Sequence, residues 1–455
     1  MKKVLHIGID DTDSLKGSCT THLATTIVTE IAEYVSFLDL PNLIRLNPNI
    51  PYKTRGNGAV AIRIIGEQKD LQECKEITIK TTEKLARFED ENTNPGIAFL
   101  MGEISGKLKA FSKQALWDVL SIAQAEMFQE NAKIDLLKYG NGRGIIGALA
   151  AIGNLLEEDF TYEHLSYRHP KNYGTKRAID EQSVYKADKA TPLTFNNIDY
   201  EYNSVLITPR GADPVFSGIR GETVKEVLAA WELLEPLEPI VMQMVFRTNQ
   251  HTNQHLFKRF KINQLKAHQA IITSGVVSRK PRYIPGRHLI FSLKDETGEI
   301  DCAAYEPTKR FRNIMNQLLV GDELEVSGGV RPAADKHPLT INLERVRIIK
   351  LIEDFKKENP FCDQCGARLK SAGKNKGFKC FKCSAVYRNK KVIQTERPRK
   401  ITIGEYIPPA IAHRHLTKPQ VRMGRDNTGT QLSERETNAL LAKLIEFNRA
   451  NNKKR

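Results

Sequence analysis

Residues 4–34 read VLHIGIDDTDSLKGSCTTHLATTIVTEIAEY, and they set the architecture of the N-terminal half. The apolar run Val4–Ile9 reads as a buried strand, and a helix is expected from about His22 to Tyr34. Between them lie Asp10, Asp11 and Asp13, then the turn Gly17-Ser18-Cys19-Thr20-Thr21. Three acids within four residues repel one another unless a cation such as Mg²⁺ or a positive side chain shares them. The turn before the helix offers backbone N–H groups and hydroxyls to an anion. Together these features resemble a Mg-nucleotide site. Asp, Ser and Thr are also common helix starters, so a capping loop is the competing reading.

Three further glycine-rich segments share this character. NPNIPYKTRGNGAVA (47–61) places Lys53, Arg55 and Asn57 ahead of a strand, as a phosphate cradle would. YGNGRGIIGALAAIG (139–153) sets Asn141 and Arg143 between glycines, before a helix whose small residues suit close packing on a sheet. TPRGADPVFSGIRGET (208–223) carries Arg210, Asp213, Arg220 and Glu222, a mixture suited to an amine or phosphate, ahead of an amphipathic helix over 224–234.

From residue 269 to 352 the pattern alternates β-branched and polar residues, turns at Asp295–Gly298, and resumes in GDELEVSGGVRP and LTINLERVRIIKL. With a helix at 311–319 between the third and fourth strands, five strands describe an oligonucleotide-binding (OB) barrel. Arg279, Lys280, Arg282 and Arg331 are its candidate RNA contacts. Residues 241–268 are read as a strand and linker leading into it.

The 455 residues carry 69 Lys and Arg against 54 Asp and Glu, a net charge of +15. From Glu353 onward, 24 Lys and Arg face 10 Asp and Glu, so all but one of the excess positive charges lie in that last segment. A nearly neutral body with a basic appendage suits a polyanion, most economically a nucleic acid. Within it, Cys362-x-x-Cys365 and Cys380-x-x-Cys383 have zinc-ribbon spacing, and four sulfurs would make a closed structural site. Lys382 and its basic and aromatic neighbours suit phosphates and unstacked bases. The ribbon is placed at 358–392 and a basic C-terminal extension with an amphipathic helix at 393–455. No apolar run reaches the roughly 18 residues of a membrane span. The start reads as a strand and not as a secretory signal, so a cytoplasmic location is expected.

GIDDTDS with GSCTT, NPNIPYKTRGNGAVA, GNGRGIIGALAAIG and RGADPVFSGIRGE, followed by barrel and ribbon in that order, resemble the archaeal isoleucine-tRNA 2-agmatinylcytidine synthetases across nearly the whole chain. The resemblance implies a multidomain α+β protein: a kinase-like domain, placed at 1–110, a ferredoxin-like domain, placed at 111–240, an OB barrel and a zinc ribbon. It also implies ATP-dependent joining of agmatine to C2 of the wobble cytidine in a CAU-anticodon isoleucine tRNA, after phosphorylation of the base. On that basis Asp10, Asp11 and Asp13 are the metal and nucleotide cluster, and Thr20 is the residue that becomes phosphorylated. Arg143, Arg210 and Asp213 contact phosphate or substrate, and Asp213 and Glu222 are candidate partners for the agmatine guanidinium. Two other activities use the same features less completely. They are a non-catalytic tRNA-binding or chaperone module, and a metal-dependent phosphoesterase built on the clustered aspartates.

Overall fold

The computed structural model describes residues 2–54, 56–131, 134–335, 337–428 and 431–452. Strand Lys3–Asp10 is an interior strand of the N-terminal sheet, with Leu5, Ile7 and Ile9 all wholly buried. It pairs antiparallel with Gly58–Gly66 on one side (Ile7 opposite Ile62) and Gly96–Met101 on the other (Ile7 opposite Phe99).

Ten strands form one sheet. Its order runs Ile134–Lys138, Gly96–Met101, Lys3–Asp10, Gly58–Gly66, Asn42–Arg45, Ile240–Thr248, Thr161–Arg168, Val215–Gly221 and Thr194–Phe195, with Ser36–Phe37 paired off Gly58–Gly66. The expected boundaries differ from this arrangement in two places. Ile134–Lys138, placed beyond the first region, forms that region's sheet edge by pairing with Gly96–Met101. Residues 241–268, read as a strand and linker leading to the barrel, begin inside strand Ile240–Thr248, whose apolar run is buried in the middle of this sheet. That strand pairs antiparallel with Thr161–Arg168 and parallel with Asn42–Arg45, so it fuses the two N-terminal regions into one body.

Helix Gly144–Gly153 packs on this sheet at a distance only glycine permits. A Cβ at Gly8 would lie 2.1 Å from the carbonyl oxygen of Ala148, and one at Gly96 would lie 2.0 Å from the carbonyl carbon of Gly144. At the other end of the chain, helix Glu434–Asn452 docks on the sheet through Leu441, Leu444 and Ile445. Its Asn448 side chain exchanges hydrogen bonds with the Gln243 backbone at 2.8 and 3.1 Å.

The OB barrel forms as five strands, Ala270–Ile284, His288–Lys294, Glu299–Ala304, Glu323–Arg331 and Thr340–Lys350. It closes where Glu299–Ala304 runs parallel to Thr340–Lys350, Cys302 opposite Ile341. The helix between its third and fourth strands spans Arg310–Met315, shorter than expected, and plugs the core with Phe311 and Met315. Gly404–Tyr406 adds a sixth strand from the C-terminal segment. The ribbon hairpins are Lys370–Ser371, Phe378–Lys379 and Val386–Tyr387. No helix among the described residues is long and apolar enough to cross a membrane.

Candidate active site

The acidic loop is held open by its own backbone. Asp11 and Ser18 adopt φ of 56° and 64°, and Ser14 and Gly17 exchange backbone hydrogen bonds at 2.9 and 3.2 Å, which folds the loop back on the strand end. Thr20 then opens helix Thr20–Ile31, its hydroxyl accepting from Thr12 Oγ1 at 3.1 Å. The N-terminal end of this helix, at Cys19 and Thr20, is the kind of backbone terminus that suits an anion.

Asp10, Asp11, Asp13, Tyr52, Lys53, Asn57 and Arg143 line a first chamber above the strand end. Its floor is helix Gly144–Gly153, where a Cβ at Gly147 would lie 1.8 Å from Asp10 Oδ2. Burial, reinforced by the charge of Asp11, pushes the Asp10 carboxyl well above the usual carboxylate range. Burial and the charge of Asp13 push Asp11 up to about 7, against the pull of Arg143. Among the described residues, Asp11 Oδ2 is buried without a hydrogen-bond partner. Carboxylates in this state fit a divalent cation, which would supply the missing positive charge. The three acids are not gathered into a ligand cage. Among the described residues, only the four cysteines bring three or more ligand atoms within 4.8 Å of one another. That is consistent with Mg²⁺ held by one or two carboxylates and by nucleotide phosphates.

The loop before Gly58–Gly66 separates this chamber from a second one. Lys53, Gly56, Asn57 and Gly58 line both. Asn57 Nδ2 donates to the Asn47 carbonyl at 2.9 Å, and the Lys53 ammonium donates to the Pro48 carbonyl. Arg143 stacks over the Tyr52 ring at 4.1 Å, and its amide donates to Asn141 Oδ1 at 2.9 Å. Arg55 lies outside the described residues.

The second chamber is a cleft of about 680 Å³ between the two halves of the sheet and the C-terminal segment. Thr20, Asp13, Arg45, Lys53, Glu163, Asp213, Arg220 and Arg414 face it, together with His251, His413 and His415. Several of these are functional candidates that sequence reasoning did not single out, notably Arg45, Glu163, Arg414 and the histidines. Glu163 is 3.8 Å from Arg220 and accepts from the Gln250 amide. Asp213 pairs with Arg177 at 3.3 Å and caps the Val215 amide at 3.0 Å. Arg210 is exposed and lines neither chamber. Glu222 also lies outside both, because the wholly buried Arg422 takes its carboxylate at 2.6 and 3.1 Å.

Residues 6–140 match the TiaS TCKD domain, 142–255 the TiaS FLD domain, 271–349 an OB-fold nucleic acid binding domain, and 359–401 the TiaS C-terminal zinc ribbon domain. The isoleucine-tRNA 2-agmatinylcytidine synthetase TiaS of Thermococcus sibiricus is 44% identical over 92% of this chain and 96% of its own length. That of Methanocaldococcus jannaschii is 45% identical over 91% and 98%. The chain belongs to the TiaS family. A solved complex of TiaS with its isoleucine tRNA and ATP shares the fold at a TM-score of 0.84 and 38% identity, covering 94% of this chain and 100% of that one. A complex of TiaS with the same tRNA, AMPCPP and agmatine does so at 0.82 and 35%, with the same coverage.

In the terms of that family, the acidic chamber belongs to the TCKD match apart from Arg143, Ile146 and Gly147, whereas the cleft draws broadly on both the TCKD and FLD matches. The wall formed by residues 410–416 lies beyond the zinc-ribbon match.

The ribbon brings Cys362 Sγ to 3.4 Å from Cys383 Sγ and Cys365 Sγ to 3.4 Å from Cys380 Sγ, with no disulfide. Four sulfurs at such spacing fit tetrahedral Zn²⁺. The Tyr387 hydroxyl at 3.2 Å helps to hold Cys362 down to about 6, and the Lys382 amide lies 3.4 Å from Cys380 Sγ. On the barrel, Arg279, Lys280 and Arg282 lie along the solvent-facing part of the long strand Ala270–Ile284, far along the chain from the cleft residues. Arg279 pairs with Glu299 at 2.7 Å and Arg331 bonds the Tyr305 hydroxyl at 2.9 Å, both remaining open to solvent.

Proposed function

We propose that this chain joins agmatine to C2 of the wobble cytidine in a CAU-anticodon isoleucine tRNA, using ATP to phosphorylate the base oxygen that the amine displaces. The observation that carries the reading is the pair of chambers sharing one glycine wall: acids and Arg143 on one side, Thr20 and a ring of cations on the other.

A cytosine C2 oxygen is a poor leaving group until it carries a phosphoryl group. Lys53, on the shared wall, is the candidate to hold phosphates from either chamber, and Arg143 the candidate to steady those beside the acids. Bound Mg²⁺ would neutralise phosphate charge, with Asp10 and Asp11 as the residues that hold it. Thr20, at the helix start, lines the cleft and is the candidate phosphoacceptor. Arg45 and Arg220 line the cleft where charge on a phosphorylated base would develop. The wobble base must leave its stack to reach them, which a tRNA held by barrel and ribbon allows. Zn²⁺ on the four cysteines maintains the ribbon, and a tRNA substrate suits a cytoplasmic enzyme.

ATP turnover tests this reading. It is expected to depend on a CAU transcript and to rise on adding agmatine; a transcript with another wobble base should leave it at background. Equal turnover with either RNA would contradict the proposal.

A further inference from the structure

Three histidines line the cleft, and their hydrogen bonds distinguish them. His413 uses both ring nitrogens, Nε2 on the Pro408 carbonyl at 2.9 Å and Nδ1 on Asn196 Nδ2 at 3.1 Å. His251 donates from Nδ1 to the Thr417 carbonyl at 2.8 Å, which leaves Nε2 as an acceptor, but the residue is only 4% exposed. His415 differs from both. Its Nδ1 lies 3.1 Å from Gln250 Oε1, and the Gln250 amide nitrogen donates in turn to Glu163 Oε2. That second bond fixes which end of Gln250 is the oxygen, so His415 Nδ1 carries the proton and Nε2 carries a lone pair. His415 is open to the cleft, and its ring edge meets the glycine wall: a Cβ at Gly56 would lie 2.7 Å from Nε2. Base, orienting amide and buried carboxylate therefore form a chain that ends at the wall shared by both chambers.

We propose that His415 is the general base that takes the proton from the attacking agmatine amine. The inference rests on the synthetase reading above. The neutral amine nitrogen attacks C2, forming the C2–N bond and leaving that nitrogen cationic. His415 Nε2 removes one N–H proton, and the C2–O bond breaks with its electron pair passing to the phosphate oxygen. The imidazolium then gives its proton to the departing phosphate, which restores neutral His415. Glu163 and Gln250 act through His415, as positioning residues.

Among the described residues, the groups acting on His415 are Arg45 from strand Asn42–Arg45, Lys53 from the glycine loop, Arg220 from Val215–Gly221, and His251, and Arg414 and the Glu163 carboxylate line the same cleft. The charge of Arg45, then partial desolvation by the cleft walls, holds His415 well below its ordinary value, so it is neutral when no anion is bound. The same cations are the groups to which the reading above gives the phosphate. A bound phosphoryl group would cancel their field and return the imidazole toward its ordinary range, where it is both largely neutral and basic enough to accept a proton. Phosphorylation of the base would thus strengthen the group that completes the reaction.

The test follows two steps in the full-length protein with a CAU transcript and Mg-ATP: phosphoryl transfer without agmatine, and single-turnover formation of the C–N bond with it. In His415→Gln, bond formation should fall roughly 10²–10⁴-fold while phosphoryl transfer stays within about threefold, and the wild-type rise of the bond-forming rate with pH should disappear. Added imidazole should restore part of the rate to His415→Ala. Equal loss of both steps, or an unchanged bond-forming step, would overturn the assignment. Absence of product from the wild-type protein would instead overturn the synthetase reading on which it rests.

Discussion

Arg422 Nη2 lies 2.9 Å from Asp159 Oδ1, across 263 residues of chain. The guanidinium is wholly buried and also holds Glu222, while Lys418 reaches Asp159 at 2.9 Å and Asp426 at 2.6 Å. These pairs fasten the segment that walls the cleft. Arg422→Ala would leave the Glu222 carboxylate without its cation and Asp159 with Lys418 alone, and the expected cost is about 3 kcal/mol. Chemical denaturation should show that loss, with residues 410–427 becoming accessible to protease first. Arg422→Lys keeps the charge but not the fork and should fall between the two.

Gly147 and Gly8 sit on one helix–strand interface and should fail differently. A Cβ at Gly147 would strike the carboxylate end of Asp10, a side chain that can swing aside. Gly147→Ala should therefore leave the fold largely intact while ATP turnover falls by about 10²-fold or more, as a displaced charged group would cause. At Gly8 the clash is with the Ala148 backbone, so Gly8→Ala should lower the unfolding midpoint as well as the activity. Melting curves and turnover measured on both variants separate the cases.

Much of the acidic chamber was legible because its signals are local. A strand ending at Asp10, a glycine turn before Thr20, and the Lys53 and Arg143 segments each announce themselves within a few residues, and Asp10, Asp11, Thr20, Lys53 and Arg143 line one chamber or the other. What escaped is long-range. Nothing in VMQMVFRTN says that it will pair parallel with Asn42–Arg45 and weld two regions together. Glu222 reads as a substrate acid until Arg422 is brought to it, and Arg422 is remote in sequence. The run HRHLTKP (413–419), dense in cations and imidazoles within a C-terminal extension, was the available hint of a cleft wall.

The acidic loop gives a pH dependence of defined sign. Asp11 is raised in the folded state to about 7, from an ordinary value near 3.8. The folded protein therefore binds the extra proton, and the associated stability is present at low pH and lost as pH rises from about 4 through 7. Asp11→Asn should remove this liability and stabilise the nucleotide-free protein at pH 8 by about 1–2 kcal/mol, discounting for a carboxylate partly open to water. The same variant should lose ATP turnover. Mg-ATP should stabilise the wild type more at pH 8 than at pH 6, because cation binding displaces the proton; thermal shift with and without Mg-ATP measures it.

The ribbon's buried core is only Cys362, Leu369, Phe378 and Cys380, too little to fold without metal. Elemental analysis should find one zinc per chain. Chelation or Cys380→Ser should erase amide-exchange protection in 359–390 and spare the barrel, whose core is separate. Affinity for tRNA should fall and become less sensitive to salt, as lysine contacts to phosphate are lost.

The most direct test of the central claim is mass spectrometry of the wobble nucleoside after incubating the protein with a CAU-anticodon isoleucine tRNA transcript, Mg-ATP and agmatine. A mass gain equal to agmatine addition with loss of water, absent when ATP or agmatine is omitted, is the predicted result. An unmodified cytidine with tRNA binding intact, or cleaved RNA that needs neither ATP nor amine, would contradict it.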